Sequence, residues 1–364
     1  MTMPQLTVRA IRCTPVEVPI KHVLGTSRAE IRAAPLMLID LETEEGVVGR
    51  AYLFCYLRAA AVGIAGIAAE IERMVKGQRL APEAQFAALS RRFTLIGVQG
   101  IVRMALSGFD VAAWDALAIA AGQPLARFLG AEPRPVRAYN SNGLGLMEPL
   151  RLADEAEELV AEGFTAIKLR MGHATLEADL AALAAVRGRV GAEVLIMVDY
   201  NQALCVDEAM KRGNALDAEG VYWLEEPIRH DDYGGAARLA QALKTPVQIG
   251  ENFSLPAAME EALERGACDY VMPDLERIGG VTGWRQAAAL AAARGIPMSS
   301  HMFPEASAHL LAATPTAHWL EYFDWSATIL EQPLEIANGA AIPPSRPGTG
   351  ITWNRDAVER YRIS

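Results

Sequence analysis

The sequence predicts an α/β protein: a (β/α)₈-type barrel preceded by an α+β module that caps it. Two observations carry this reading. From about residue 137 onward, short β-rich runs alternate with Ala-, Leu- and Glu-rich helical stretches, and a glycine repeatedly stands just before the next strand. Gly163 precedes FTAIKLR, Gly191 precedes AEVLIMVDYN, Gly220 precedes VYWLEEP, Gly266 precedes ACDYVMPD and Gly295 precedes IPMSSHM. A glycine after the last helical turn takes the left-handed conformation at little cost, so it marks where the chain turns back into the sheet. The second observation is spacing. Eight strand ends, at Tyr139, Lys168, Asp199, Glu225, Glu251, Asp274, His301 and Glu321, follow one another at 29, 31, 26, 26, 23, 27 and 20 residues. Each interval accommodates one strand–helix unit.

The elements before the barrel have a different rhythm. Strand-like stretches at Leu6–Ile20 and Pro35–Phe54, the second with a turn at Glu44–Gly46, come first. Helices around 59–76, 84–92 and 100–121 follow, closed by Gly122. Segregated strands and helices make an α+β module, not half of a barrel. The expected division is a capping domain over 1–130, a barrel over 131–330 and a last segment, 331–364, that returns to the cap. Between the first two strands, KHVLGTSRAEIRAA is a polar-leaning loop suited to act as a lid. An open doubly wound sheet is the rival architecture. It would need a glycine-rich phosphate loop after its first strand, and VRAYNSNG matches GxGxxG poorly.

Composition narrows the function. With 364 residues, the chain is long enough for a barrel of roughly 250 residues and a smaller second domain. The net charge of −10, without any Lys/Arg-rich run, argues against nucleic acid as a partner. The apolar run Ala59–Ala69 is too short to cross a bilayer, and the N-terminal stretch, with Arg9 and Arg12 in a strand, lacks a signal-peptide layout. Cys13, Cys55, Cys205 and Cys268 show no metal-binding spacing, as expected of thiols in a reducing cytoplasm. Any anionic substrate would need local positive charge from a metal or from a few basic residues.

Three successive strand ends carry acids: Asp199 in MVDYN, Glu225 in WLEEP and Glu251 in IGEN. In a barrel these ends converge on one face, where active sites lie. Crowded carboxylates raise one another's pKa unless a cation neutralises them. An all-oxygen ligand set suits Mg²⁺, which keeps positions open for substrate oxygens. One such acid alone would more often belong to a structural salt bridge; three at matching strand ends favour the metal.

The blocks AIKLR, VDYNQ, WLEEP, GEN, MPDLERIGGVTGW and SSHMFPEASAHLLAATPTAHWLE resemble the enolase superfamily, and within it the mandelate racemase / muconate lactonizing enzyme family, over nearly the whole chain. The resemblance is nearest to the mandelate racemase branch. It implies a modified TIM barrel with a capping domain, Mg²⁺ on Asp199, Glu225 and Glu251, and a small-molecule carboxylate substrate. Lys168 and Ser141 would contact that carboxylate, with Asn201 among the substrate-binding positions. An Asp274–His301 dyad would remove the α-proton, and a protonated Glu321 would hydrogen-bond the developing enolate. Such sites oppose the second negative charge on the substrate with metal, lysine and a neutral acid. Even-numbered homo-oligomers are common in the family.

One position departs from the pattern. Relatives that work from both faces carry Lys-x-Lys on the second strand, the second lysine being a base opposite the histidine. Here the motif is Lys168-Leu169-Arg170. With a reference pKa of about 12.5 or more, a neutral arginine at pH 7 costs roughly 7 kcal/mol. The leading expectation from the resemblance is racemisation or epimerisation of a 2-hydroxy acid, with Arg170 counted among the catalytic residues. The alternative is one-face dehydration of a sugar acid by His301, and a third is a metal-binding relative without activity. On the lid side, Leu24, Ile31, Phe54 and Tyr56 would give an apolar pocket wall, while Arg28, between Leu24 and Ile31, would bring charge into it.

Overall fold

Alternating burial along the first 54 residues builds a three-stranded antiparallel sheet. The computed structural model describes residues 4–27 and 29–363. Strands β1 (Val8–Gly25), β2 (Glu30–Thr43) and β3 (Val48–Phe54) pair in that order. The run Leu36–Ile39 is buried throughout, as in a central strand covered on both faces. Helices α1 (Arg58–Val75), α2 (Pro82–Arg92) and α3 (Gly100–Ala120) follow. Helix α3 lies so close to β3 that a Cβ at Gly49 would come within 2.0 Å of the Ala112 carbonyl oxygen. Glycine is what allows that approach.

The lid differs from its expected form. Instead of a loop over 21–34, β1 continues to Gly25 and β2 begins at Glu30, with Leu24 opposite Ile31 and Gly25 opposite Glu30. The period-two pattern explains this: His22 and Leu24 are buried, while Lys21 is exposed. A register shift between Pro19 and Leu24 lets the ribbon extend. Arg28 lies outside the described residues.

After a short helix, α4 (Leu125–Phe128), the barrel begins. Its order is β4 (Val136–Asn140), α5 (Pro149–Ala161), β5 (Ala166–Arg170), α6 (Leu176–Val190), β6 (Leu195–Asp199), α7 (Val206–Leu216), β7 (Leu224–Glu225), α8 (Tyr233–Ala242), β8 (Val247–Ile249), α9 (Pro256–Glu264) and β9 (Tyr270–Val271). Then come α10 (Leu275–Ile278), α11 (Gly280–Arg294), α12 (Pro304–Ala312) and β10 (Leu320–Tyr322). Strands β4 to β9 pair in parallel, each with the next, and β10 pairs in parallel with β4. The seventh expected strand is present only as isolated bridges, Val271↔Met298, Asp274↔His301 and Met298↔Ala317, which still close the ring. Side chains take over part of its ladder, since the Ser300 hydroxyl accepts from the Glu321 N–H at 3.1 Å. The five glycines named from the sequence have φ between 63° and 98°.

Residues 331–363 touch both halves of the molecule. The hairpin β11 (Glu335–Ala337) and β12 (Ala340–Ile342) adds antiparallel to β4. Helix α13 (Arg355–Tyr361) leads to Arg362, which bridges Val16 of β1, and the Trp353 indole donates to Asp40 of β2 at 2.9 Å. Among the described residues, no helix is long and apolar enough to cross a membrane.

Inside the barrel, Tyr139, Ala166, Met197, Trp223 and Trp319 form an apolar cluster of their own. Two residues further along each strand stand Ser141, Lys168, Asp199, Glu225 and Glu321. Side chains i and i+2 face the same side of a strand, so the aromatic plug forms the floor on which the polar residues stand.

Candidate active site

Lys168 is the hub of that polar layer. Its ammonium lies 2.6 Å from Glu321 Oε1, 2.7 Å from Glu225 Oε1 and 3.4 Å from Asp199 Oδ2, and all four side chains are buried. Burial opposes the lysine's charge, but Glu225, Glu321 and Asp199 outweigh it and raise its pKa. Burial also pushes the Glu225 carboxyl up to about 8, with Lys168 opposing and Asp199 and Glu321 adding to the rise. Glu321 behaves oppositely. Although burial works against its charge, Lys168 and His301 outweigh it and lower its pKa. It also accepts from the Met302 N–H at 2.9 Å.

His301 and Asp274 come together as a pair, with Nδ1 2.5 Å from Oδ2. The other Asp274 oxygen caps α10, accepting from the Glu276 and Arg277 N–H groups at 2.8 and 3.1 Å. The carboxylate is thereby fixed from behind, which orients the imidazole. On its far side, Nε2 faces Glu251 Oε2 at 3.2 Å and Glu321 Oε2 at 3.8 Å. Burial would lower the pKa of the ring; Glu321, Glu251 and Asp274 outweigh it and hold the value well above the ordinary histidine range.

Arg170 is held in place through two of its nitrogens. Its Nη1 donates to the carbonyls of Ser141 at 2.6 Å and Gly143 at 2.9 Å, and its Nη2 donates to Ser141 Oγ at 2.8 Å. The same hydroxyl donates to Glu321 Oε1 at 2.7 Å. The Phe323 ring lies 5.8 Å from the guanidinium carbon. A planar fork suits this three-pronged grip far better than an ammonium.

These groups open onto a cavity of about 220 Å³ lined by Lys168, Arg170, Asp199, Asn201, Glu251, His301 and Glu321. Leu24, Ile31, Phe54 and Tyr56 all reach its wall. Glu225, Asp274 and Ser141 stand behind it, touching the lining side chains. Thr26, Ala29, Gln202, Met302, Phe323 and Trp325 complete the wall and were not singled out from the sequence. Phe323 and Trp325 follow Glu321 at steps of two in LEYFDW, a pattern that signals the shared face. Of the nine non-glycine residues with positive φ among the described residues, Tyr56, Asn201, Gln202 and Met302 line this cavity. Such conformations are costly and gather where function holds them.

The lid is docked. Leu146 N–H donates to the Gly25 carbonyl at 2.9 Å, and a Cβ at Gly145 would come within 2.4 Å of that oxygen. On the opposite side Ser27 Oγ lies 3.3 Å from the Tyr200 carbonyl.

Whether Mg²⁺ fits can be judged from the donors. Asp199, Glu225 and Glu251 are oxygen ligands at neighbouring strand ends, and burial with the nearby Asp199 and Glu321 raises the Glu225 carboxyl, as crowding of acids without a cation does. The three do not converge on one point: Lys168 draws Asp199 and Glu225, while Glu251 leans on His301. Among the described residues no three acidic, histidine or cysteine side chains form a ready cage. The donor chemistry fits the ion, and a cation would relieve the crowding of these acids.

A closed parallel barrel with acids, a lysine and an Asp–His pair at its strand ends, roofed by an antiparallel sheet, defines an enolase-type enzyme. Residues 8–130 match the mandelate racemase / muconate lactonizing enzyme N-terminal domain and residues 151–357 the enolase C-terminal domain-like family, and the chain belongs to this family. It is similar to L-talarate/galactarate dehydratase of Salmonella typhimurium, at 31% identity over 94% of this chain and 87% of that one. Among solved structures it is similar to an enolase from an alpha-proteobacterium, bal199, with bound magnesium: 44% identity, TM-score 0.96, covering 98% of this chain and all of that one. A Bradyrhizobium enolase complexed with magnesium and mandelic acid is 38% identical, with a TM-score of 0.94 and full coverage of both chains. Enzymes of this superfamily abstract a proton with the help of Mg²⁺.

Proposed function

We propose that His301 removes the proton α to the carboxylate of a 2-hydroxy acid and that the reaction is completed on the same face by loss of a β-hydroxyl. The net change is dehydration of a 2,3-dihydroxy acid to a 2-keto acid. The observation that carries this reading is the Arg170 grip. A group that donates to two carbonyls and a hydroxyl has no lone pair to offer a second face. The dehydratase from Salmonella typhimurium supports the reaction type.

In this reading Asp199, Glu225 and Glu251 hold Mg²⁺. Bound there, the ion would supply positive charge against the substrate carboxylate and offset the acid charge of Glu251 beside the imidazole. Lys168 adds its ammonium beside the same carboxylate. Asp274 holds His301 so that Nε2 faces the substrate, receives the α-proton and returns it to the departing hydroxyl. Asn201, whose N–H and side-chain amide fix Asp199 at 2.7 and 2.9 Å, orients the substrate end of the site. The docked lid and the ring of Phe323 exclude water.

A second reading has its own support. The wall formed by Leu24, Ile31, Phe54, Phe323 and Trp325 suits an apolar side chain, and the Bradyrhizobium relative was crystallised with mandelic acid. Racemisation or epimerisation of an apolar 2-hydroxy acid would then be the outcome, with a proton donor other than Arg170 on the second face. Incubation with Mg²⁺ and panels of 2-hydroxy and 2,3-dihydroxy acids in D₂O separates the two. A 2-keto product supports dehydration; deuterated substrate with inverted C2 and no keto product overturns it.

A further inference from the structure

We infer that Asn252 and Glu226 are positioning residues for Glu251, and that through Glu251 they set the site's affinity for a divalent cation. The inference rests on the metal reading given above. Its basis is one amide group. Asn252 Nδ2 donates to Glu251 Oε1 at 3.0 Å and to Glu226 Oε2 at 2.9 Å. A primary amide has two N–H bonds, and these two acceptors use both.

Glu226 is a rigid anchor for that amide. Its N–H donates to the Gln248 carbonyl at 3.0 Å, and its own carbonyl accepts from the Gln202 N–H at 2.7 Å. Its φ is +34°, a conformation that non-glycine side chains seldom adopt. The side chain is 1% exposed, and Oε1 has no hydrogen-bond partner among the described residues. A buried carboxyl with one bare oxygen is expensive, and an apolar residue of the same size would stabilise the fold better. What the carboxyl does hold is Asn252.

Asn252 in turn decides where Glu251 points. With Oε2 drawn to the His301 imidazole at 3.2 Å, Oε1 is the oxygen that Asn252 keeps turned toward the acid of the preceding strand end. Without the amide, nothing else described here restrains Oε1, and the carboxylate is left to rotate onto the imidazole. Groups that orient a ligating carboxylate in this way alter metal affinity 10- to 100-fold when removed.

The test measures metal binding without substrate. Mg²⁺ affinity of the full chain is determined by calorimetry, and the Mn²⁺-loaded protein is followed by electron paramagnetic resonance. Asn252→Ala is expected to raise the Mg²⁺ Kd about 10- to 100-fold and to alter the Mn²⁺ spectrum. Glu226→Leu should do the same, and the double variant should be no weaker than the worse single one, because both act through one contact. Glu226→Gln, whose amide oxygen still accepts from Asn252, should restore affinity. Melting of the metal-free proteins establishes that each variant is folded, and Glu226→Leu carries the test if Asn252→Ala does not fold. Wild-type affinity in folded Asn252→Ala or Glu226→Leu overturns the positioning role alone. Absence of Mg²⁺ binding by the unaltered protein overturns the metal reading beneath it.

Discussion

Arg170 meets Ser141 twice, donating to its carbonyl oxygen at 2.6 Å and to its hydroxyl at 2.8 Å, and that hydroxyl in turn donates to Glu321 at 2.7 Å. The guanidinium is therefore part of the wall that holds the strand ends together.

One-sided chemistry follows from this contact. In D₂O the protein should exchange the C2 proton of only one stereoisomer of a given 2-hydroxy acid. Arg170→Lys should gain exchange on the other face, since burial and a nearby cation readily bring a lysine into range as a base. The same substitution should cost about 1–3 kcal/mol, because an ammonium cannot satisfy both carbonyls and the hydroxyl. NMR of the recovered substrate and urea unfolding read these two effects. Equal exchange of both stereoisomers by the unaltered protein would sink the idea.

Asp274→Asn keeps an oxygen to cap α10 but replaces the carboxylate that steadies His301. We expect turnover to fall by about 10²–10⁴ with melting little changed. An activity loss matched by loss of fold would reassign Asp274 to a structural role.

Removal of divalent cations should abolish turnover, and their return should stabilise the fold. At 100 times its Kd, Mg²⁺ should add about 2.7 kcal/mol to the unfolding free energy. The buried acids around Lys168 make this direction firm, since their mutual repulsion is relieved when the ion binds. Thermal melts with and without chelator measure it, and identical melts would count against a cation at Asp199, Glu225 and Glu251.

The strand-end residues were legible in the sequence because two simple periods place them. Strand–helix spacing puts Lys168, Asp199, Glu225 and Glu321 at the ends of strands, and the two-residue alternation turns them inward above Ala166, Met197, Trp223 and Trp319. Asp274 and His301 were less open to such reasoning, because β9 stops at Val271 and the segment at His301 is held by isolated bridges. The lid was misread as a loop, since the pairing of Leu24 with Ile31 depends on a register shift that composition does not reveal. The Arg170 grip was hidden as well. Its acceptors are mostly backbone carbonyls, at Ser141 and Gly143, which carry no signature in side-chain identity.

Gly145→Ala should disturb the lid without harming the barrel. The added methyl would meet the Gly25 carbonyl at 2.4 Å, against the backbone of the hairpin tip. Overpacking of this kind costs about 1–3 kcal/mol, here drawn from closure. KM should rise more than kcat falls, with urea unfolding almost unchanged. An unaltered KM would show that the hairpin need not sit there during turnover.

Acid should destabilise the fold through His309. Its Nδ1 accepts from the Ala126 N–H at 3.4 Å and its Nε2 faces the Thr349 carbonyl at 3.3 Å, which requires the neutral ring. Burial lowers its pKa from 6.5 to about 4. Because the folded value lies below the unfolded one, the stabilisation is complete above pH 6.5 and is lost as pH falls toward 4. The full loss is about 3 kcal/mol. His318, also lowered to about 4, acts in the same direction. Urea midpoints at pH 7 and pH 4.5 test this: a shallower profile in a His309→Asn variant would assign part of the slope to that ring, and an unchanged profile would remove it.

The pairing of Val16 with Arg362 and of Asp40 with Trp353 also governs the order in which the protein can be made. The first sheet leaves the ribosome well before the residues that seal its far side, since Asp40 and Trp353 are 313 residues apart. Until they arrive, β4 also lacks the β12 strand that covers its edge. A nascent chain must therefore keep two edges from pairing elsewhere until that segment has been made. Loss of the segment that holds Trp353 and Arg362 would be felt more than 300 residues away, at β1 and β2.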